Sequence, residues 1–77
     1  MRHRLALVFG VAAAALADAN KATALDGRFA IAFNLRGLAQ EKLGAREAAL
    51  ADFRRALALD PNLQQPADAL RRLGATP

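Results

Sequence analysis

The sequence lacks most of the side chains on which enzyme active sites depend. The chain includes no cysteine, serine, tyrosine or tryptophan, and its single histidine is His3. Without these groups a Ser–His or Cys–His nucleophile pair cannot form, and His3 has no neighbouring side chains to complete a metal site. Glu41, Glu47 and Asp52 are better explained as solvated helix faces than as an acid–base pair. We therefore expect no enzymatic activity, no cofactor and no metal.

Aromatic residues are also scarce, which limits what the positive charge can mean. The formal net charge is +4, but the only aromatic residues are four phenylalanines. A nucleic-acid surface needs a basic stripe with exposed groups on which bases can stack. Arginines near helix C-termini, with Asp52–Arg55 and Asp68–Arg71 pairs at helical spacing, account for the charge without a ligand. We keep a basic nucleic-acid-binding module as an alternative interpretation only.

A glycine between two apolar helical patterns predicts a helical hairpin. Apolar residues recur at spacings of three and four on both sides of Gly44, as on the buried face of a helix. Glycine can end a helix in the left-handed conformation and let the chain turn back. We predict helices over about 28–43 and 45–59, with Phe53 as the large side chain between them. Asp26 is the expected N-cap of the first helix.

The same stretch resembles the tetratricopeptide repeat, a 34-residue helix–turn–helix unit. The signature positions of that pattern are matched, with Gly44 at the internal turn, by Phe33, Gly37, Ala49, Phe53, Ala56 and Pro61. Two positions depart from it: Arg36 stands where leucine is usual, and Gln40 where tyrosine is usual. The resemblance implies an all-α fold, a fragment of an α-solenoid whose one well-matched repeat covers about 30–63.

The N-terminal segment, 1–17, has the pattern of a secretory signal peptide. Arg2, His3 and Arg4 form a basic start, and no polar residue follows from Leu5 to Ala17. Small residues near position 17 offer a cleavage site, and the run is too short to span a bilayer comfortably. This interpretation favours export to the periplasm or beyond the cell over the cytoplasm. It leaves 18–77 as the helical domain and predicts no stable membrane span.

A second interpretation treats the N-terminal region as part of a preceding repeat. When the chain is aligned with itself one repeat length later, positions 16–26 fall on positions 50–60, and seven of the eleven are identical. Gly10 falls on Gly44, and Ala19 falls on Phe53. The segment 16–26 would then be the second helix of a partial repeat, and 1–17 would include a truncated repeat helix. The two interpretations remain open at this point.

The segment after Pro61 predicts a terminal capping helix over about 66–73. Pro66 suits the first position of a helix, and Gly74 suits the residue that ends it. The apolar residues of this segment lie along one edge only. Such a helix can cover the end of a repeat array and present a polar face to solvent.

The resemblance implies a protein–protein interaction module, a small adaptor or scaffold that binds a peptide or another helical repeat. In that family the first helix of each repeat lines a concave groove. The corresponding positions in this sequence are Ile31, Asn34, Leu38, Glu41 and Lys42. We also consider self-association, because about three repeats are usually needed to bury a continuous core. The remaining alternative is a gene fragment of a longer protein of this repeat type.

Overall fold

The chain folds into four helices joined by short turns. The computed structural model describes the backbone of residues 2–76 and the side chains of residues 7–76. The helices are α1 (Arg2–Leu25), α2 (Ala30–Lys42), α3 (Arg46–Leu59) and α4 (Gln64–Arg72), and the described residues contain no strand. The all-α, helix–turn–helix prediction is confirmed.

Helices α2 and α3 form the hairpin, and Gly44 makes the turn between them. Gly44 has a φ of +83°, which only glycine adopts without a steric penalty. The Gly44 N–H donates to the carbonyl of Glu41, and the Ala45 N–H donates to that of Gln40. These two bonds satisfy carbonyls that the end of α2 would otherwise leave without partners. Gly74 ends α4 with the same pair of bonds and a φ of +74°.

The hairpin core depends on a large residue opposite a very small one. Phe53 of α3 is fully buried, and its ring lies directly over Gly37 of α2. A Cβ atom added at Gly37 would lie 2.7 Å from Cε1 of Phe53, which is well inside van der Waals contact. The absence of a side chain at Gly37 is therefore what lets α2 and α3 approach each other.

Helix α4 closes the far side of the hairpin. Leu70 and Ala69 are buried together with Ala49, Leu50 and Phe53 of α3. The helix begins at Gln64, two positions before the predicted start. Pro66 therefore lies in the first turn rather than at the first position, where its missing N–H still costs no intrahelical hydrogen bond.

Helix α1 is continuous from Arg2 to Leu25. It passes through Gly10 without the turn that the equivalent Gly44 makes, and Gly10 has no positive φ. The suggested boundary after Ala17 lies inside this helix, and cleavage there remains a prediction. None of the helices described is long and apolar enough to cross a membrane.

The turns after α1 and after α3 have the same hydrogen bonds at equivalent positions of the repeat. The N–H groups of Asp26 and Asp60 donate to the carbonyls of Ala22 and Ala56. The side chain of each aspartate then accepts from the N–H two positions later, at 2.9 and 3.1 Å. Since α2 begins at Ala30, its N-cap is Phe29 and not the predicted Asp26. Asp26 instead stabilises the turn before the helix. The structure thus repeats at the period of the sequence, although Gly27 stands in the position of Pro61.

Candidate functional site

A long apolar groove lies between α1 and α2. It has a volume of about 660 Å³. Its lining is almost entirely aliphatic or aromatic, apart from Asp18 and Lys42, and the residues of α1 that contribute to it are Leu7, Val8, Val11, Ala12, Ala15, Asp18, Ala19 and Ala22. Phe29, Leu35 and Leu38 contribute from the other wall. A concave apolar surface with few polar groups is the usual character of a ligand or partner site.

The surface equivalent to this groove, one repeat later in the chain, is covered. The equivalent surface one repeat later lies between α3 and α4, and there it is covered by α2. Phe53 packs over Gly37 of α2 at that surface, whereas the groove has Ala19 at the equivalent position. On α4, Ala69 is only 3% exposed, whereas Leu35, its equivalent on α2, is 51% exposed. No helix in the described part of the chain covers the α1–α2 groove as α2 covers α3 and α4.

Two polar contacts join α2 to α4 on the covered side. The Asn34 side-chain amide donates to Oε1 of Gln65 at 2.8 Å. Arg72 donates two hydrogen bonds to the Glu41 carboxylate, one of them from Nη2 to Oε1 at 2.9 Å. The hydrogen bond from Arg72 lowers the pKa of Glu41, and the same bond raises the pKa of Arg72. These contacts fix α4 beside α2.

The five residues predicted to line a concave groove do not share one surface. Leu38 and Lys42 lie on the α1–α2 groove. Ile31 and Asn34 lie on a smaller cavity of about 360 Å³ beside the start of α4. Glu41 faces Arg72. Asn34 is buried, and its Oδ1 has no hydrogen-bond partner among the described residues.

Arg36 connects three helices through a partly buried ion pair and two further hydrogen bonds. Its Nε and Nη2 donate to the two carboxylate oxygens of Asp52 at 2.7 and 2.9 Å. Its Nη1 donates to Thr23 Oγ1 at 3.0 Å and to Asn20 Oδ1 at 3.2 Å. The hydrogen bond to Asp52 is also the main reason that the pKa of Arg36 is raised. Arg36 thereby stabilises the placement of α1 against the hairpin.

This network corrects two interpretations made from the sequence. Asp52 is buried rather than part of a solvated face, and it pairs with Arg36 rather than with Arg55. Arg55 instead donates to the carbonyl of Gly27. The predicted pair of Asp68 with Arg71 is confirmed. No sequence pattern marked Arg36 as a link between helices, because its partners belong to other helices and are distant from it along the chain.

Residues 30–63 match the family model described as "Tetratricopeptide repeat". The match covers α2, α3 and the turn before α4, with the internal turn at Gly44. Repeats of this family generally mediate protein–protein interactions and are typically not enzymes. Comparisons with curated proteins and with solved structures gave no match. The match is consistent with one tetratricopeptide repeat over residues 30–63.

Proposed function

We propose that this protein is a non-enzymatic interaction module, a small adaptor or scaffold whose α1–α2 groove binds an amphipathic helix. The helix could belong to a peptide or to another helical repeat. The groove is the observation that carries the proposal. It is apolar, it is open along one side, and its repeat equivalent is occupied by a helix of this same chain.

The apolar lining supports a helical ligand over an extended one. A backbone that enters an apolar groove must satisfy its N–H and C=O groups internally, and a helix does so. The groove walls supply side chains such as Leu7, Val11 and Leu35 that remain more than half exposed. Covering them removes apolar surface from water, which stabilises the complex by about 25 cal/mol for each Å² buried.

The charged residues give no comparable support to nucleic-acid binding. Arg36 and Arg72 pair with Asp52 and Glu41. Arg46 and Arg54 donate to the backbone carbonyls of Leu73 and Thr76. Guanidinium groups held in this way are already bound within the chain. The charge therefore does not favour that function over protein interaction.

The proposal is tested with a displayed library of amphipathic peptides long enough for about four helical turns. Peptides selected on the intact protein are titrated against the wild type and two variants. We expect Leu35→Glu to weaken binding by at least about tenfold, because it places a charge on an apolar wall. Ile31→Glu is the matched control, since Ile31 is on the same helix with nearly the same exposure, 52% against 51%.

The two variants separate the candidate surfaces. Loss of binding in Ile31→Glu with retention in Leu35→Glu would move the site to the cavity beside α4. If the protein is monomeric, failure to select any helical peptide that distinguishes Leu35→Glu from the wild type would contradict the proposed function.

A further inference from the structure

One face of α1 has the spacing of a helix-pairing seam. Val8, Val11, Ala15, Asp18 and Ala22 follow one another at alternating steps of three and four positions, and all five line the groove. This is the spacing that brings side chains of two helices together in a coiled coil. Val8 and Val11 remain 46% and 62% exposed. The described chain contains no helix that packs on this face.

The charges at the two ends of this face complement those of a second α1 helix that runs in the opposite direction. Asp18 stands seven positions after Val11, and Arg4 stands seven positions before it. In a helix, positions seven apart lie on nearly the same face. Two α1 helices placed antiparallel and centred on Val11 would therefore bring position 4 of each beside position 18 of the other. Apolar residues occupy the seam between these two opposite charges.

We propose that two copies of this chain associate through antiparallel α1 helices, around a twofold axis near Val11. The N-terminal half of each α1 then enters the α1–α2 groove of the other copy. This inference rests on the proposed function, because it names a second copy as the occupant of the same groove. The inference concerns the protein from which the N-terminal segment has not been cleaved, so that residues 2–17 are present.

The intact repeat supports the direction of this packing. Within the repeat, α2 runs antiparallel to α3 and packs against it through Gly37 and Phe53. A partner α1 that runs antiparallel to this chain's α1 would lie beside it as α2 lies beside α3. The relative direction of the two helices would be the same in both pairs. An interface in which the same surface serves both copies is the usual form of a twofold dimer.

The continuity of α1 explains why the occupant comes from a second copy. A turn at Gly10, like the turn at Gly44, would have folded the N-terminal half back onto its own chain. The helix instead continues through Gly10, so residues 2–9 extend in line with the rest of α1. Exchange of such a segment between identical chains is a common route to dimers.

A single-cysteine experiment tests the position of the axis. The sequence contains no cysteine, so each variant carries one unique thiol. Val11→Cys places the two thiols beside the axis, and treatment of the full chain with diamide should give a disulfide-linked dimer. Ala13→Cys is the control, because residue 13 is exposed and lies about 200° around the helix from residue 11. Equal crosslinking of the two variants, or none in either, would overturn the proposal.

A charge exchange tests the antiparallel orientation. Sedimentation equilibrium of the wild type should give a mass of twice 8.2 kDa. Asp18→Arg or Arg4→Asp alone should raise the dimer dissociation constant by roughly tenfold, because both symmetric ion pairs become repulsive. The double variant should return to within about threefold of the wild type. Lack of rescue would exclude this orientation.

The outcomes separate this inference from the proposed function. A monomer that binds helical peptides in a Leu35-dependent way overturns the dimer and leaves the interaction module in place. A monomer that binds no helical peptide contradicts both. A dimer with the predicted crosslink and charge rescue supports both, since the groove then holds a helix.

Discussion

The two halves of this molecule, α1–α2 and α3–α4, share one repeat pattern. They differ in what covers the surface between the two helices of each half. In the C-terminal half, α2 lies over α3 and α4, Phe53 fills the space over Gly37, and the Glu41–Arg72 ion pair joins the helices. In the N-terminal half, the equivalents of Glu41 and Arg72 are Leu7 and Leu38, and both line the open groove. The same architecture thus gives a stable core where a helix is present. Where no described helix takes that position, the same architecture leaves an open apolar groove.

The largest difference in stability between the two halves should appear when the Phe53 side chain is truncated. We expect Phe53→Ala to lower the free energy of unfolding by about 3–5 kcal/mol, because it leaves a cavity in the centre of the repeat. Urea denaturation followed by circular dichroism measures the change. Phe9→Ala is the control in α1, where the ring is 46% exposed, and it should change stability far less. Equal losses in the two variants would mean that the halves do not differ as described.

A smaller effect, of opposite sign in the two halves, is expected at Gly10 and Gly44, which occupy equivalent positions of the repeat. Gly44→Ala should destabilise the protein by about 1–2 kcal/mol, since alanine at a φ of +83° is strained. Gly10→Ala should stabilise it by about 0.5–1 kcal/mol, because Gly10 lies within a helix and an added Cβ meets nothing within 4 Å. Thermal unfolding of both variants checks the signs. Destabilisation by Gly10→Ala would argue for a turn at that position.

The sequence predicted the parts of the fold that depend on neighbouring residues. The hairpin, the turn at Gly44 and the packing of Phe53 follow from helical spacing and from the conformational freedom of glycine. The course of α1 could not be read in this way. Gly10 matches Gly44 in position, but alanine-rich flanks favour a helix strongly enough to continue through one glycine.

The candidate site was harder to predict because it depends on how separate helices are placed. The position of Asp52 within α3 predicts a solvated face, whereas the approach of Arg36 from α2 explains its burial. Likewise, the predicted residues Ile31 and Leu38 lie on different cavities. Whether an apolar residue of α2 faces a core or an open groove is decided by α1 and α4, not by α2 itself.

The smallest predicted effect is a pH dependence that arises from the Glu41–Arg72 ion pair of the covered half. Since the pKa of Glu41 is lowered in the folded chain by Arg72, its contribution to stability is present above the ordinary value of 4.5. It is lost as the pH falls through the lower folded value. Glu41→Gln should reduce stability at pH 7 by less than about 1 kcal/mol, because Arg72 is largely exposed and the pair is screened by solvent. It should also make the decline below pH 4.5 less steep.

Urea midpoints of the wild type and Glu41→Gln, measured from pH 7 down to pH 3 at low salt, check this prediction. Glu47→Gln is the matched control, because the Glu47 side chain is 86% exposed and forms an ion pair with the neighbouring Arg46. Its urea midpoint at pH 7 should lie close to that of the wild type. If Glu41→Gln declined as steeply as the wild type in acid, the ion pair would not stabilise the docking of α4. The covered half would then be held together by its apolar contacts and the Asn34–Gln65 hydrogen bond, and the contrast with the open groove would rest on Phe53 and Gly37.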